Sequence, residues 1–129
     1  MVKVNKKRSE NEQVKLVRQF KWALEYIDNP SKEVQLEAVR NWGGSIKYIK
    51  NPSEAVQLQA VKQWGDVLEY INNPSEEVQL AAVRNMATAI KYIENPSEEI
   101  QLTACRKYPG VLKYIMNPCG EVLKKYEKR

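Results

Sequence analysis

Asn-Pro-Ser recurs in this chain at Asn29-Pro30-Ser31, Asn51-Pro52-Ser53, Asn73-Pro74-Ser75 and Asn95-Pro96-Ser97, with a variant at Asn117-Pro118-Cys119. Each copy lies 22 residues after the last. A fixed period of this size marks a stack of small units, none of which can bury its apolar face alone. Alignment on the period divides the 129 residues into a basic tail, 1–8, then five units and a partial one. The five units are 9–30, 31–52, 53–74, 75–96 and 97–118, and the partial capping unit is 119–129.

Each unit predicts two short helices. In 31–52, Ser31 follows Asn-Pro and suits an N-cap. Glu33 suits the positive end of the helix dipole and Arg40 the negative end. Val34, Leu36, Ala38 and Val39 give an apolar arc. A second helix is expected over about 43–49, with Trp42, Ile46 and Ile49 as its buried stripe, ended by Asn51-Pro52. Neither helix is long enough to stand alone in water. The expected architecture is all-α, an α-solenoid of five to six helix-turn-helix repeats. End units should be more polar, and Glu12 and Lys124 replace the apolar residues found elsewhere in their columns.

Several columns read as structure. Ala38, Ala60, Ala82 and Ala104 mark close helix approach, and Leu36, Leu58, Leu80 and Leu102 with Ile49, Ile71, Ile93 and Ile115 are expected core. Cys105 stands in a valine column and reads as a small buried hydrophobe. Gln35, Gln57, Gln79 and Gln101, with Gln13, fall inside the apolar arc. A buried amide must be hydrogen-bonded, so each is expected to tie its helix to a nearby loop or helix end. A ligand-binding amide ladder is the functional alternative. Tyr26, Tyr48, Tyr70, Tyr92 and Tyr114 read as half-buried rings at the stripe's edge. Glu25, Lys47, Glu69, Lys91 and Lys113 nearly alternate in sign, so opposite charges are expected to meet between units.

Chemistry is constrained chiefly by what the chain lacks. Histidine, the commonest general base and metal ligand, is absent. Two cysteines cannot build a zinc cluster of the usual kind, and no Gly-rich phosphate loop occurs. The expectation is a non-enzyme without a metal or cofactor. No apolar run is long enough to span a membrane, and the basic N-terminus lacks the apolar segment of a secretory signal. A cytoplasmic protein is expected. The net charge of +5 belongs to the tails; residues 9–118 carry −1.

Two binding surfaces can be drawn. Columns that vary between units are where a solenoid writes specificity. They include Phe20, Trp42, Trp64, Met86 and Tyr108; Trp22, Gly44, Asp66, Thr88 and Gly110; and Asp28, Lys50, Asn72, Glu94 and Met116. Trp22, Trp42, Trp64 and Tyr108 are the candidate anchors for a protein partner, with Asp66 and Lys50 beside them, because aromatic residues dominate binding hot spots. The pair Gly43-Gly44 could loosen the turn or leave room for a partner. The alternative is a nucleic-acid surface on the column Arg18, Arg40, Lys62, Arg84, Arg106 and Lys128, aided by the basic tails. Lys or Arg in a last helical turn is also an ordinary preference. A homodimer through open stack ends or an aromatic face is compatible with the pattern.

The text NPSEEVQLAAVRN, followed by a short helix ending Ile-Lys-Tyr-Ile, resembles short tandem helical repeats of uncharacterised bacteriophage and bacterial proteins. The resemblance covers 9–118, and the chain departs from the pattern at Trp42, Trp64 and Met86. It implies an α-solenoid of phage origin, a viral protein working in the cytoplasm of a bacterial host cell, and no particular chemistry. By analogy it implies a protein that binds, and inhibits, a host or anti-phage defence protein.

Overall fold

A computed structural model describes residues 8–127. Residues 1–7 of the basic tail, with Lys128 and Arg129, lie outside the described residues. Six α-helices alternate with five 3₁₀ helices. The α-helices are α1 (Glu10–Gln19), α2 (Lys32–Asn41), α3 (Glu54–Gln63), α4 (Glu76–Asn85), α5 (Glu98–Lys107) and α6 (Gly120–Tyr126). The 3₁₀ helices are η1 (Ala23–Tyr26), η2 (Gly43–Tyr48), η3 (Gly65–Tyr70), η4 (Ala87–Tyr92) and η5 (Pro109–Tyr114). No strand forms among the described residues.

Each α-helix starts as the sequence requires. Ser9, Ser31, Ser53, Ser75 and Ser97 are extended N-caps whose hydroxyls accept the backbone N–H three residues on, at 3.1–3.3 Å. Ser9 and Glu12 form a reciprocal capping box. Cys119, in the same column, makes no side-chain cap, and α6 has only seven residues. Asn29, Asn51 and Asn73 take left-handed φ of 48°, 55° and 51°, a conformation asparagine tolerates better than most residues. The following proline then delivers the chain to the next cap.

The second segment of each unit is a 3₁₀ helix, where an ordinary helix over 43–49 was expected. Its bonds run three residues back, as from Ser45 N to Trp42 O and from Ile49 N to Ile46 O. Six 3₁₀ residues span about 12 Å against about 9 Å for α, closer to the ~15 Å of a ten-residue α-helix beside them. The tighter winding also eclipses positions three apart. Ile46 and Ile49 therefore share the buried side, while Trp42 is extended and only half-buried.

One continuous apolar core runs through all units. Each α-helix packs on the next, and each 3₁₀ helix on the next. Val34, Val56, Val78, Ile100 and Val122 form one fully buried file, beside the alanines Ala38, Ala60, Ala82 and Ala104. Burying each valine or isoleucine contributes about 1.5–3 kcal/mol. Leu36, Leu58, Leu80 and Leu102, expected inside, are only partly buried and flank the core.

Polar groups tie unit to unit at both helix ends. At the N-terminal edge, Ser31 Oγ donates to Glu10 at 2.5 Å, Ser75 Oγ to Glu54 at 2.6 Å and Ser97 Oγ to Glu76 at 2.9 Å. Lys32 stands in the carboxylate's place below Ser53 and interrupts the ladder. At the C-terminal edge, Asn41 Nδ2 donates to Val17 O at 2.9 Å, Gln63 Nε2 to Arg40 O, and Asn85 Nδ2 to Lys62 O at 3.0 Å. These amides satisfy carbonyls that a helix terminus leaves without partners. The inner glutamines reach back to the proline that ends the unit before. Gln35, Gln57, Gln79 and Gln101 donate to the carbonyls of Pro30, Pro52, Pro74 and Pro96 at 2.9–3.1 Å. Gln101 Oε1 also accepts from Cys119 N at 2.8 Å.

Ser75→Ala removes a cap and a tie between units, whereas Ser53→Ala removes a cap alone. In urea unfolding each should lose about 1 kcal/mol for its cap. Ser75→Ala should lose about 1 kcal/mol more for its hydrogen bond to Glu54. Gln79→Ala should cost about 1 kcal/mol and lower the melting temperature.

Candidate functional site

The surface divides into two unlike sides. The α-helices carry the polar side, and the 3₁₀ helices carry the aromatic one. Every exposed large hydrophobic side chain among the described residues lies in or beside a 3₁₀ helix. They are Phe20, Trp22 and Tyr26 at η1; Trp64 and Tyr70 at η3; and Tyr108, Tyr114 and Met116 at η5. In the even units, Trp42, Tyr48, Met86 and Tyr92 are half-buried. The surface therefore repeats every two units.

The residues that end α1, α2, α3 and α5 in extended geometry, Phe20, Trp42, Trp64 and Tyr108, are aromatic and stand at the head of the 3₁₀ segments. Trp42 folds over Gly44, where an added Cβ would stand 2.7 Å from the indole. Tyr108 covers Gly110 in the same way. The room at Gly44 is thus taken by the chain's own ring. Gly65 meets the end of α4: a Cβ there would collide with Ala82 O, and Gly65 N donates to Asn85 Oδ1 at 2.7 Å. Trp22 occupies the Gly44 column, so no ring can fold across it. Phe20 stacks on Trp22 instead, with centroids 5.1 Å apart, and Tyr26 meets it edgewise at 6.0 Å and 87°.

Of the predicted anchors, Trp22, Trp64 and Tyr108 are exposed, in the first, third and fifth units. Trp42 is withdrawn beneath Lys47, whose ammonium lies 5.5 Å from its centroid. Asp66 is half-buried and accepts from Thr88 Oγ1 at 3.5 Å. Lys50 lines an open cleft of about 490 Å³ with Asp28 and Tyr48. A second cleft of about 420 Å³, two units on, is lined by Asn72, Tyr92 and Glu94 in the matching columns. The exposed tyrosines Tyr26, Tyr70 and Tyr114 were not among the predicted anchors. For Tyr26 and Tyr70 the signal was the alternation Leu24-Glu25-Tyr26, Ile46-Lys47-Tyr48, Leu68-Glu69-Tyr70, Ile90-Lys91-Tyr92; Tyr114, after Lys113, departs from it.

The nearly alternating charges do not pair with each other as expected. Lys47 lies over Tyr48 at 5.2 Å and over Tyr70 of the next unit at 5.9 Å. Lys91 repeats this over Tyr92 at 5.3 Å and Tyr114 at 5.9 Å. The ring faces attract the ammonium groups at less desolvation cost than a tight ion pair demands. Burial, with nearby Glu69, pushes the Tyr92 phenol above its ordinary range.

Arg18, Arg40, Lys62, Arg84 and Arg106 are exposed at the ends of their helices. Lys128 lies outside the described residues. Among the described residues the ion pairs are Arg18–Glu37 at 2.7 Å and Arg40–Glu37 at 3.4 Å. The Arg18 hydrogen bond, opposed by some burial and aided by the charges of both arginines, holds the Glu37 carboxyl below its usual value. Cys105 is fully buried, and burial, with Cys119 a lesser cause, raises its thiol pKa. No group of three metal-ligating side chains gathers among the described residues, and no described helix is long and apolar enough to cross a membrane. No family model matches the chain, and searches of curated proteins and of solved structures find no similar protein.

Because the folded Glu37 value is depressed, its contribution is present above the unfolded carboxyl value, about 4.3. It is lost as pH falls through the lower folded value. Comparing urea unfolding of the wild type and Glu37→Gln between pH 7 and pH 2 should show a gap of roughly 0–1 kcal/mol that closes in acid.

Proposed function

We propose that the protein is a non-catalytic protein-interaction module, an α-solenoid whose 3₁₀ side receives a protein partner. The observation that carries this reading is the segregation of exposed aromatic groups. Trp22, Tyr26, Trp64, Tyr70, Tyr108 and Tyr114 all lie at the 3₁₀ helices, and none lies on an α-helix. Rigid aromatic groups on a stacked scaffold offer large contact area at low entropic cost, and such residues concentrate binding energy. The absence of histidine from the sequence supports a role without catalysis.

The partner in this reading is a host or defence protein that the chain blocks by occupying its surface. That step rests on the likeness of the repeat text to phage helical repeats. The nucleic-acid alternative would use Arg18, Arg40, Lys62, Arg84 and Arg106 on the opposite side. It is disfavoured by Glu37, which engages two of these arginines, and by the −1 charge of residues 9–118.

The test is affinity capture from nuclease-treated bacterial lysate with the whole chain and with a Trp64→Ala/Tyr108→Ala variant whose helical circular dichroism is unchanged. The expected result is one discrete protein retained at high salt by the wild type and lost, by at least about tenfold, with the variant. Equal capture by both would refute the aromatic side as the interface. Tight binding to random duplex or single-stranded nucleic acid that collapses with salt would favour the alternative.

A further inference from the structure

The first unit differs from the others where rings and cations meet. Elsewhere on the 3₁₀ side the chain supplies its own ammonium groups to its tyrosines. Lys47, Lys91 and Lys113 each sit 5.2–5.4 Å from the ring of the tyrosine that follows them. Lys47 and Lys91 also reach the tyrosine of the next unit. These rings are thus shaped and placed to accept cations. Ahead of Tyr26 the lysine is replaced by Glu25, and among the described residues no ammonium or guanidinium is placed over Tyr26 or Trp22.

The rings around this position form a corner. Phe20 backs one face of Trp22, and Tyr26 stands nearly perpendicular to it. Phe20, Trp22 and Tyr26 keep 38%, 50% and 49% of their surface open, so the corner faces solvent. Three residues per turn bring Glu25 to the same side as Trp22. Two aromatic walls with a carboxylate beside them attract a cation by ring quadrupole and by charge.

We infer that Phe20, Trp22, Tyr26 and Glu25 form a cage for a lysine or arginine side chain presented by a partner protein. The partner's cation takes the place that Lys47 and Lys91 take in their own units. The inference rests on the reading of the 3₁₀ side as a protein-binding surface and adds the chemistry of one anchor point.

The three tryptophan indole N–H signals of the ¹⁵N-labelled full chain provide the readout. Two probes are compared: the capped tripeptide acetyl-Gly-Lys-Gly-amide and the same peptide with norleucine, which keeps the stem and lacks the ammonium. The lysine peptide should shift the Trp22 indole signal saturably and leave Trp42 and Trp64 in place. The norleucine peptide should bind at least about fivefold more weakly. Glu25→Gln should weaken lysine-peptide binding several-fold, and Trp22→Leu should abolish it as read from the Ala23 amide signal. Both positions are exposed, so both variants should keep the wild-type spectrum elsewhere.

Equal affinity for the two peptides, or shifts that spare Trp22, would overturn the cage. A Lys3→Ala/Lys6→Ala/Lys7→Ala variant whose unliganded Trp22 signal moves would overturn it too, because the chain's own lysines would then fill the corner. Loss of the cage with lysate capture still dependent on Trp64 and Tyr108 would remove this inference alone. Loss of both would remove the binding side itself.

Discussion

A ten-residue helix is mostly ends. Four N–H groups at one terminus and four C=O groups at the other have no partner within the helix. That leaves the polar ends, rather than the apolar face, as the problem this chain must solve in every unit. The serine hydroxyl answers at the start, taking an N–H from its own helix and, at Ser31, Ser75 and Ser97, giving its proton to a carboxylate of the helix before. An amide answers at the finish, at Asn41, Gln63 and Asn85, by reaching back to the previous helix's carbonyls. The valine file buries area only because these groups are satisfied at its two edges. Packing and polar satisfaction therefore depend on the same neighbour, and no unit can have one without the other.

Much of this was legible in the text. The period located the units and the caps, and the alanine, valine and isoleucine columns located the core. The 3₁₀ geometry was not legible, because six residues spaced three and four apart suit either winding. The outward shift of Leu36, Leu58, Leu80 and Leu102 was missed for a related reason: an apolar arc does not say which of its margins faces a neighbour. The amides at the helix ends were visible as the column Gln19, Asn41, Gln63, Asn85. Their role becomes evident only when the carbonyls of another unit are placed beside them. Trp42 shows the limit for the surface. Nothing in its column separates it from Trp64; a glycine two residues on lets its ring lie flat, and Asp66 gives Trp64 no such bed.

The lysines on the 3₁₀ side illustrate how charge is used when rings are close. A column nearly alternating in sign suggests a ladder of ion pairs, yet exposed pairs are worth little. Lys47 and Lys91 instead lie across tyrosines of two units and so join them. Tyr26 and Tyr70, which follow glutamate, are exposed at 49% and 41%, and Tyr114 is exposed at 39% although it follows Lys113.

The break in the serine–glutamate ladder at Lys32 belongs to a wider rhythm. The first and second units are joined at both edges, and by Ser45 to Lys21 O and Arg18 to Glu37 as well. The third and fourth are joined at both edges, with Gly65 to Asn85 and Thr88 to Asp66 added. Between the second and third, one edge is tied, by Gln63, and between the fourth and fifth the other, by Ser97; Gln57 and Gln101 reach the preceding unit's proline, and Lys47 and Lys91 the next unit's tyrosine, at both joints. The hydrogen-bonded ties thus come in blocks of 44 residues, and at the joints between blocks the lysine–tyrosine contacts stand where one edge of hydrogen bonds is missing.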